Sequence, residues 1–205
     1  MRKLTFLSTL FAAVLSFGLF SATANASVET GAKAPEFTAT DSNGASHSLS
    51  DFAGKTVVLE WTNNQCPYVV KHYETGNMQK LQKHATEDGV VWLTVISSAP
   101  GKQGHVSAEE ANTLTEERNA SPTAVLLDES GEIGRLYDAK TTPHMFVIDE
   151  HGVVVYQGAI DDNDSARHST VEGATNYVEA ALNALKNGEE IEHGNTQPYG
   201  CSVKY

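Results

Sequence analysis

Residues 55–73 read Lys-Thr-Val-Val-Leu-Glu-Trp-Thr-Asn-Asn-Gln-Cys-Pro-Tyr-Val-Val-Lys-His-Tyr. The β-branched, apolar run from Val57 to Trp61 predicts a buried strand. A polar link, Thr62 to Gln65, leads to Cys66-Pro67 and then to a helix. Proline suits the first helical position, because the amide it lacks would have no intrahelical partner there. Cys66 is thereby expected at a helix N-terminus, where free N–H groups and the helix dipole favour negative charge. A thiol in that position deprotonates more readily than a free cysteine, and the thiolate is the reactive form.

Outward from this stretch the chain alternates strands and helices. Upstream, Ala34 to Ser50 predicts a hairpin turning at Asn43-Gly44. Downstream, Val69, Val70, Tyr73, Met78, Leu81 and Ala85 follow a helical spacing that Gly76-Asn77 interrupts. Val90–Ile96 reads as a second buried strand, giving a β-α-β unit with the first. Ser107 and Glu110 form a capping box that opens a helix. Short segments follow: a strand at Ala124–Leu127, a helix at Glu132–Tyr137, and a hairpin of Met145–Asp149 with Val153–Gln157. A last amphipathic helix is expected from Ser169, capped by Glu172, to Asn187-Gly188. The order implies an α/β sandwich with a mixed central sheet.

Composition narrows the function classes. Residues 1–26 have the form of a secretory signal: Arg2 and Lys3, an apolar stretch from Leu4 to Phe20, and an Ala24-Asn25-Ala26 exit. Cleavage after Ala26 leaves 179 of the 205 residues, enough for one domain with a real core. No later apolar run is long enough to span a bilayer, so no membrane insertion is expected after cleavage. Losing Arg2 and Lys3 moves the formal charge from −12 to about −14. So acidic a chain is excluded as a nucleic-acid or anionic-lipid binder. Two cysteines, Cys66 and Cys201, make one disulfide the natural pairing in an oxidising compartment. That bond would close a loop of about 135 residues, worth up to ~5 kcal/mol in the chain-entropy model. The histidines at 47, 72, 84, 105, 144, 151, 168 and 193 show no pair at metal-ligand spacing. The acidic run Asp161–Asp164 lacks the glycine and distal glutamate of a calcium loop. No metal and no cofactor is expected.

With those residues in place, the chain resembles the thioredoxin-fold superfamily. Within it the likeness is to redoxin-domain, peroxiredoxin-like proteins related to alkyl hydroperoxide reductase and thiol-specific antioxidant. It runs from Ala34-Pro-Glu-Phe through Leu49–Lys55 and Asn64-Gln-Cys-Pro-Tyr-Val69 to the hairpin near Gly158, with the terminal Gly200-Cys-Ser-Val-Lys204. The resemblance implies a thioredoxin-like three-layer sandwich with a central mixed sheet and an N-terminal β-hairpin. It divides the chain into a leader (1–26), a redoxin domain (27–188) and a tail (189–205) carrying Cys201. Thr142-Pro143 matches the family's cis-proline position beside the reactive cysteine. The chain departs from family patterns in three places. Val69 stands where the second cysteine of Cys-x-x-Cys would be. Leu59 and Asn63 stand where peroxiredoxins carry a proline and a threonine or serine.

The expectation is a periplasmic or secreted thiol oxidoreductase of antioxidant type. Cys66 attacks a peroxide or a disulfide, and the redox partner is a thiol or disulfide protein or a peroxide. Cys201, the other sulfhydryl left after export, is expected to resolve Cys66, with the tail folding back over the site and Val203 and Tyr205 anchoring it. Either an intramolecular bond or one between two chains satisfies this chemistry. Pro67, Asn63, Thr142, Pro143, His144 and Arg135 are expected as site neighbours. His144 would polarise the thiol, and Arg135 (or next Arg118) would stabilise developing charge. Two other classes stay open: a binding module that Cys66 and Cys201 merely staple, and a metal carrier using Cys66 with His144.

Overall fold

The structure is a computed structural model and describes residues 28–205. The expected leader and its exit at Ala26 lie outside the described residues. A hairpin of β1 (Thr38–Thr40) and β2 (Ser46–Ser48) comes first. A 3-10 turn at Leu49–Phe52, with a Ser48/Asp51 capping box, delivers the chain to β3 (Val57–Trp61). Then follow α1 (Pro67–Glu74), α2 (Asn77–Glu87) and β4 (Val91–Ile96). Gly76 adopts φ 73°, so the expected interruption splits the helix in two. The Ser107/Glu110 box caps α3 (Ala108–Glu117), with Ser107 Oγ accepting from Glu110 N. Next are β5 (Ala124–Leu127), α4 (Glu132–Leu136), β6 (Thr141–Thr142), β7 (His144–Ile148) and β8 (Val154–Gly158). The chain closes with α5 (Tyr177–Asn187) and β9 (Cys201–Ser202).

Five strands form the central mixed sheet, in the order β5-β4-β3-β7-β8. β3 runs parallel to β4 and antiparallel to β7, and β4 runs parallel to β5. Side-chain alternation sends β3 residues to two cores. Leu59 and Trp61 join Phe37, Tyr137 and Phe146 on one face, beneath the hairpin and α4. Val58 joins Cys66, Val69, Met145, Val147 and Val178 on the other, beneath α1, α2 and α5. The sheet is therefore covered on both faces, and all five β3 residues are buried, which is why that strand is nearly all apolar.

Two local readings need correction. The last helix does not begin at Ser169. Residues His168–Thr170 form a 3-10 turn, and α5 is capped by Asn176, whose Oδ1 accepts from Glu179 N. A capping box needs an apolar helical run behind it, and Gly173 with Ala174-Thr175 does not supply one. The tail is also more than a polar end: β9 pairs antiparallel with β6, Thr142 opposite Cys201 and Thr141 opposite Ser202.

Candidate active site

The turn between β3 and α1 is built by Asn63. Its Oδ1 accepts from Gln65 N (2.9 Å), and its backbone carbonyl accepts from Cys66 N (3.0 Å). Its Nδ2 donates to Gln103 O (3.1 Å), tying the turn to the loop after β4. Cys66 is the N-cap of α1, with Pro67 at the first helical position. The sulfur thus sits at the helix start, and the residue is 0 % exposed.

Thr142 serves both cysteines. The Thr142–Pro143 bond is cis, and the Thr142 carbonyl accepts the Cys66 S–H at 3.1 Å. The same residue pairs with Cys201 across β6 and β9. Gly200 permits this approach, because a Cβ there would overlap the Thr142 carbonyl oxygen. Both cysteines are free thiols, Cys66 buried and Cys201 partly exposed. Burial pushes the Cys66 thiol up. Hydrogen bonds from the Cys201 and Thr142 side chains, and from the Val69 and Cys201 backbone, outweigh it and leave Cys66 below its ordinary value. The Thr142 hydroxyl is buried and has no hydrogen-bond partner in the structure. Cys201 is pushed up to about 11, by burial first and then by its bond to Cys66 and the charge there.

The other expected neighbours fall elsewhere. His144 is buried at the start of β7, but its ring packs on Phe146 (4.6 Å between centroids) and its Nδ1 accepts from Lys140 N (3.3 Å). Phe146 belongs to the core on the far face of the sheet, whereas Met145 and Val147 share the face of Cys66. One residue of strand pleat therefore turns His144 away from the sulfur. Burial holds it neutral, with its pKa lowered to about 3. Arg135 is exposed; its Nη1 donates to Ser130 O (2.6 Å) and its guanidinium covers the Tyr205 ring at 4.5 Å. Arg118 covers the Tyr73 ring at 4.6 Å and donates to Asn64 O at 3.3 Å. Neither arginine contacts a cysteine. Trp61 is core, its Nε1 donating to Ser97 Oγ at 3.0 Å.

Two groupings escaped the sequence reading. Glu60 on β3 is fully buried and accepts from Tyr73 Oη (2.8 Å), Gln82 Nε2 (3.0 Å), Trp92 Nε1 (2.9 Å) and Thr94 Oγ1 (3.1 Å). Burial raises its pKa against those four donors. A charged residue inside the run Val57–Trp61 was the available signal. The second is a buried cluster of Lys71, His72, Asp161 and Tyr199. Lys71 Nζ donates to Asn163 O (3.1 Å) and lies 3.4 Å from Tyr199 Oη. His72 Nε2 is 3.2 Å from the same hydroxyl, which donates to Asp161. His72 faces the tail, and Asp161 is buried beneath it.

The profile of the Redoxin family matches residues 29–176. Over 148 residues the chain is 28 % identical to thiol-disulfide oxidoreductase ResA from Geobacillus kaustophilus, covering 71 % of this chain and 79 % of that protein. An uncharacterized conserved protein from Geobacillus kaustophilus superposes with a TM-score of 0.73 at 26 % identity, covering 86 % of this chain and 92 % of that one. The exposed lipoprotein thioredoxin of Streptococcus pneumoniae shares the fold: TM-score 0.53 at 24 % identity, over 75 % of this chain and 99 % of that one.

Proposed function

The chain belongs to the Redoxin family, with the thioredoxin fold, and from that premise we propose that it is an exported thiol oxidoreductase in which Cys66 is the nucleophile and Cys201 resolves it. The observation that carries this reading is the double use of Thr142: its carbonyl takes the Cys66 S–H while its backbone pairs with Cys201. The lowered Cys66 and raised Cys201 pKa values fit a division of labour, one thiol ready as thiolate and the other protonated until needed.

In the forward step the Cys66 thiolate attacks an electrophile. With a peroxide, sulfur bonds to one oxygen, the O–O bond breaks, and an alcohol or water leaves after taking a proton; Cys66 becomes a sulfenic acid. Cys201, as thiolate, then attacks that sulfur and expels hydroxide, which leaves as water. With a small disulfide, Cys66 forms a mixed disulfide and one thiolate leaves; Cys201 then displaces the second. Either route ends in a Cys66–Cys201 disulfide and a substrate reduced by two electrons. An external thiol partner returns the protein to its reduced form. Cys66 is 0 % exposed, which favours electrophiles of peroxide size over the disulfide of a folded protein. We place the mature chain, from residue 27, in the periplasm or outside the cell, with 27–188 as the redoxin domain and 189–205 as its cysteine-bearing tail. The thiol-disulfide oxidoreductase activity named for ResA of Geobacillus kaustophilus fits the same pair of sulfurs.

Stopped-flow mixing of the reduced protein with hydrogen peroxide, and separately with a model disulfide, tests this. Loss of the Cys66 thiol should be faster than for free cysteine with at least one oxidant. Non-reducing peptide mapping should then give a Cys66–Cys201 peptide from monomer. Oxidation no faster than free cysteine with either reagent, or two thiols that stay unlinked, would overturn the reading.

A further inference from the structure

We propose that Tyr199 is a positioning residue for the resolving step: by docking into the buried Lys71–His72–Asp161 cluster it holds Cys201 against Cys66. The inference rests on the reading of Cys66 and Cys201 as a redox pair.

Tyr199 stands two residues before Cys201, with Gly200 passing the Thr142 carbonyl between them. Its hydroxyl meets three groups at once: it donates to Asp161, lies 3.2 Å from His72 Nε2 and lies 3.4 Å from Lys71 Nζ. The Lys71 and His72 side chains are 0 % exposed and that of Asp161 is 2 % exposed. Lys71 Nζ also lies 5.2 Å from the centre of the Tyr199 ring. Lys71 and His72 belong to α1, the helix that Cys66 caps, so the cluster and the nucleophile share one rigid element. The ring packs on Tyr68 of the same helix (5.8 Å between centroids). Tyr199 therefore fixes the tail relative to α1 itself.

Such a latch is close to all-or-none. With the tyrosine docked, the buried acid has a donor and the lysine and histidine a polar neighbour. With it withdrawn, groups buried in the protein lose a partner, and the loss of one partner from a buried charged cluster is costly. Two-residue β9 has little pairing of its own to hold Cys201 in register. Downstream, Tyr205 supplies a second hold: it donates to Ala139 O (2.8 Å) and lies against Gly131 and Gly134 under Arg135. Cys201 is suspended between the two, and Tyr199 is the nearer.

The test uses the full mature protein and Tyr199→Phe, which keeps the ring and removes the hydroxyl. Each is equilibrated in glutathione buffers, and the equilibrium constant for forming the Cys66–Cys201 disulfide is read by quantitative alkylation. A docked tail pre-organises the reduced form, so its release should lower that constant at least tenfold. The corresponding shift is about 30 mV toward a more positive potential. Urea unfolding of both proteins verifies that the variant is folded. If it is not, Asp161→Asn weakens the same hydroxyl contact without changing side-chain size, and the same direction of change is expected. A constant within twofold of wild type in a folded variant overturns the latch. A wild-type protein that forms no Cys66–Cys201 disulfide at any potential overturns the redox-pair reading itself, a result that wild type alone reveals.

Discussion

Cys66 and Cys201, both neighbours of Thr142, are held by two unlike kinds of structure. Cys66 lies between the central strand and a helix, with Val58 of β3 and Met145 and Val147 of the adjacent β7 in the same apolar cluster. Cys201 lies on a two-residue strand at the end of a tail, partly exposed. Beyond the short β6–β9 pairing, the end of the tail is tied by Val203 N to Lys140 O (3.1 Å), Ala99 N to Lys204 O (2.8 Å), and the Tyr199 and Tyr205 hydroxyls. Regions with few apolar contacts open at lower cost than sheet cores. A nucleophile must keep its geometry and thiolate, whereas a resolving thiol must arrive, bond and withdraw. The fold gives the first to its most buried element and the second to its most detachable one.

The contrast can be broken most severely at its fixed side. Cys66→Ser should abolish the fast oxidation phase with every oxidant. Cys201→Ser should keep the first oxidation but accumulate sulfenic acid at Cys66, trapped by dimedone and seen by mass spectrometry. Equal behaviour of the two variants would erase the distinction. A smaller effect is expected at Gly200→Ala, where φ is 132° and the new Cβ meets the Thr142 carbonyl. Strain of roughly 1–3 kcal/mol should lift the tail and expose Cys66 to a bulky maleimide. Unchanged maleimide kinetics would show that the tail is not the cover.

Two buried histidines, His72 beside the tail and His144 on the far face of the sheet, offer a sharper control. His72 and His144 have pKa values lowered to about 3, against 6.5 ordinarily. Burial comes first for both, then the neighbouring charge of Lys71 or Lys140 respectively. As pH falls below about 6.5, the unfolded chain binds protons that the folded chain refuses until about 3. The stability they confer is complete above that range and is lost as acid is added. His144→Leu should therefore flatten the fall in urea stability between pH 6 and 4 by up to roughly 1.4 kcal/mol per pH unit. It should leave the thiolate titration of Cys66 in place; a shifted thiol titration would return His144 to the site. The smallest effect belongs to Lys186→Ala, which removes a solvent-exposed ion pair with Asp88 at 2.7 Å. Loss of less than about 1 kcal/mol and no change in Cys66 reactivity are expected.

Features governed by a short stretch were legible in the sequence. The run Val57–Trp61, Cys66-Pro67, Gly76, and the Ser107/Glu110 box each impose their structure locally, and each appears where the pattern puts it. The geometry around the sulfur was less so, because it depends on which residues the tail meets. Asp161 is 38 positions from Tyr199 and His72 is 127, and nothing in either stretch marks the encounter. His144 was misplaced by a single step of pleat, since adjacency to Pro143 gives nearness in sequence but not the face of the sheet. The charge of Arg135 suits an active site, but an aromatic ring at the tail's end claims it. The helix at α5 begins later than a matched pair of capping residues implied, because Gly173 and its neighbours cannot extend a helical turn from Ser169.

The glycines at 104 and 200 mark two different kinds of evolutionary constraint. Both have positive φ, and in both a Cβ would overlap a neighbour. At 104 the neighbour is the Asn63 side chain, which substitution can shorten; at 200 it is the Thr142 backbone, which no substitution removes. Shortening Asn63 would relieve the overlap at 104, but the positive φ there still favours glycine. Position 200 should stay glycine for as long as the strand pairing of Thr142 with Cys201 is inherited.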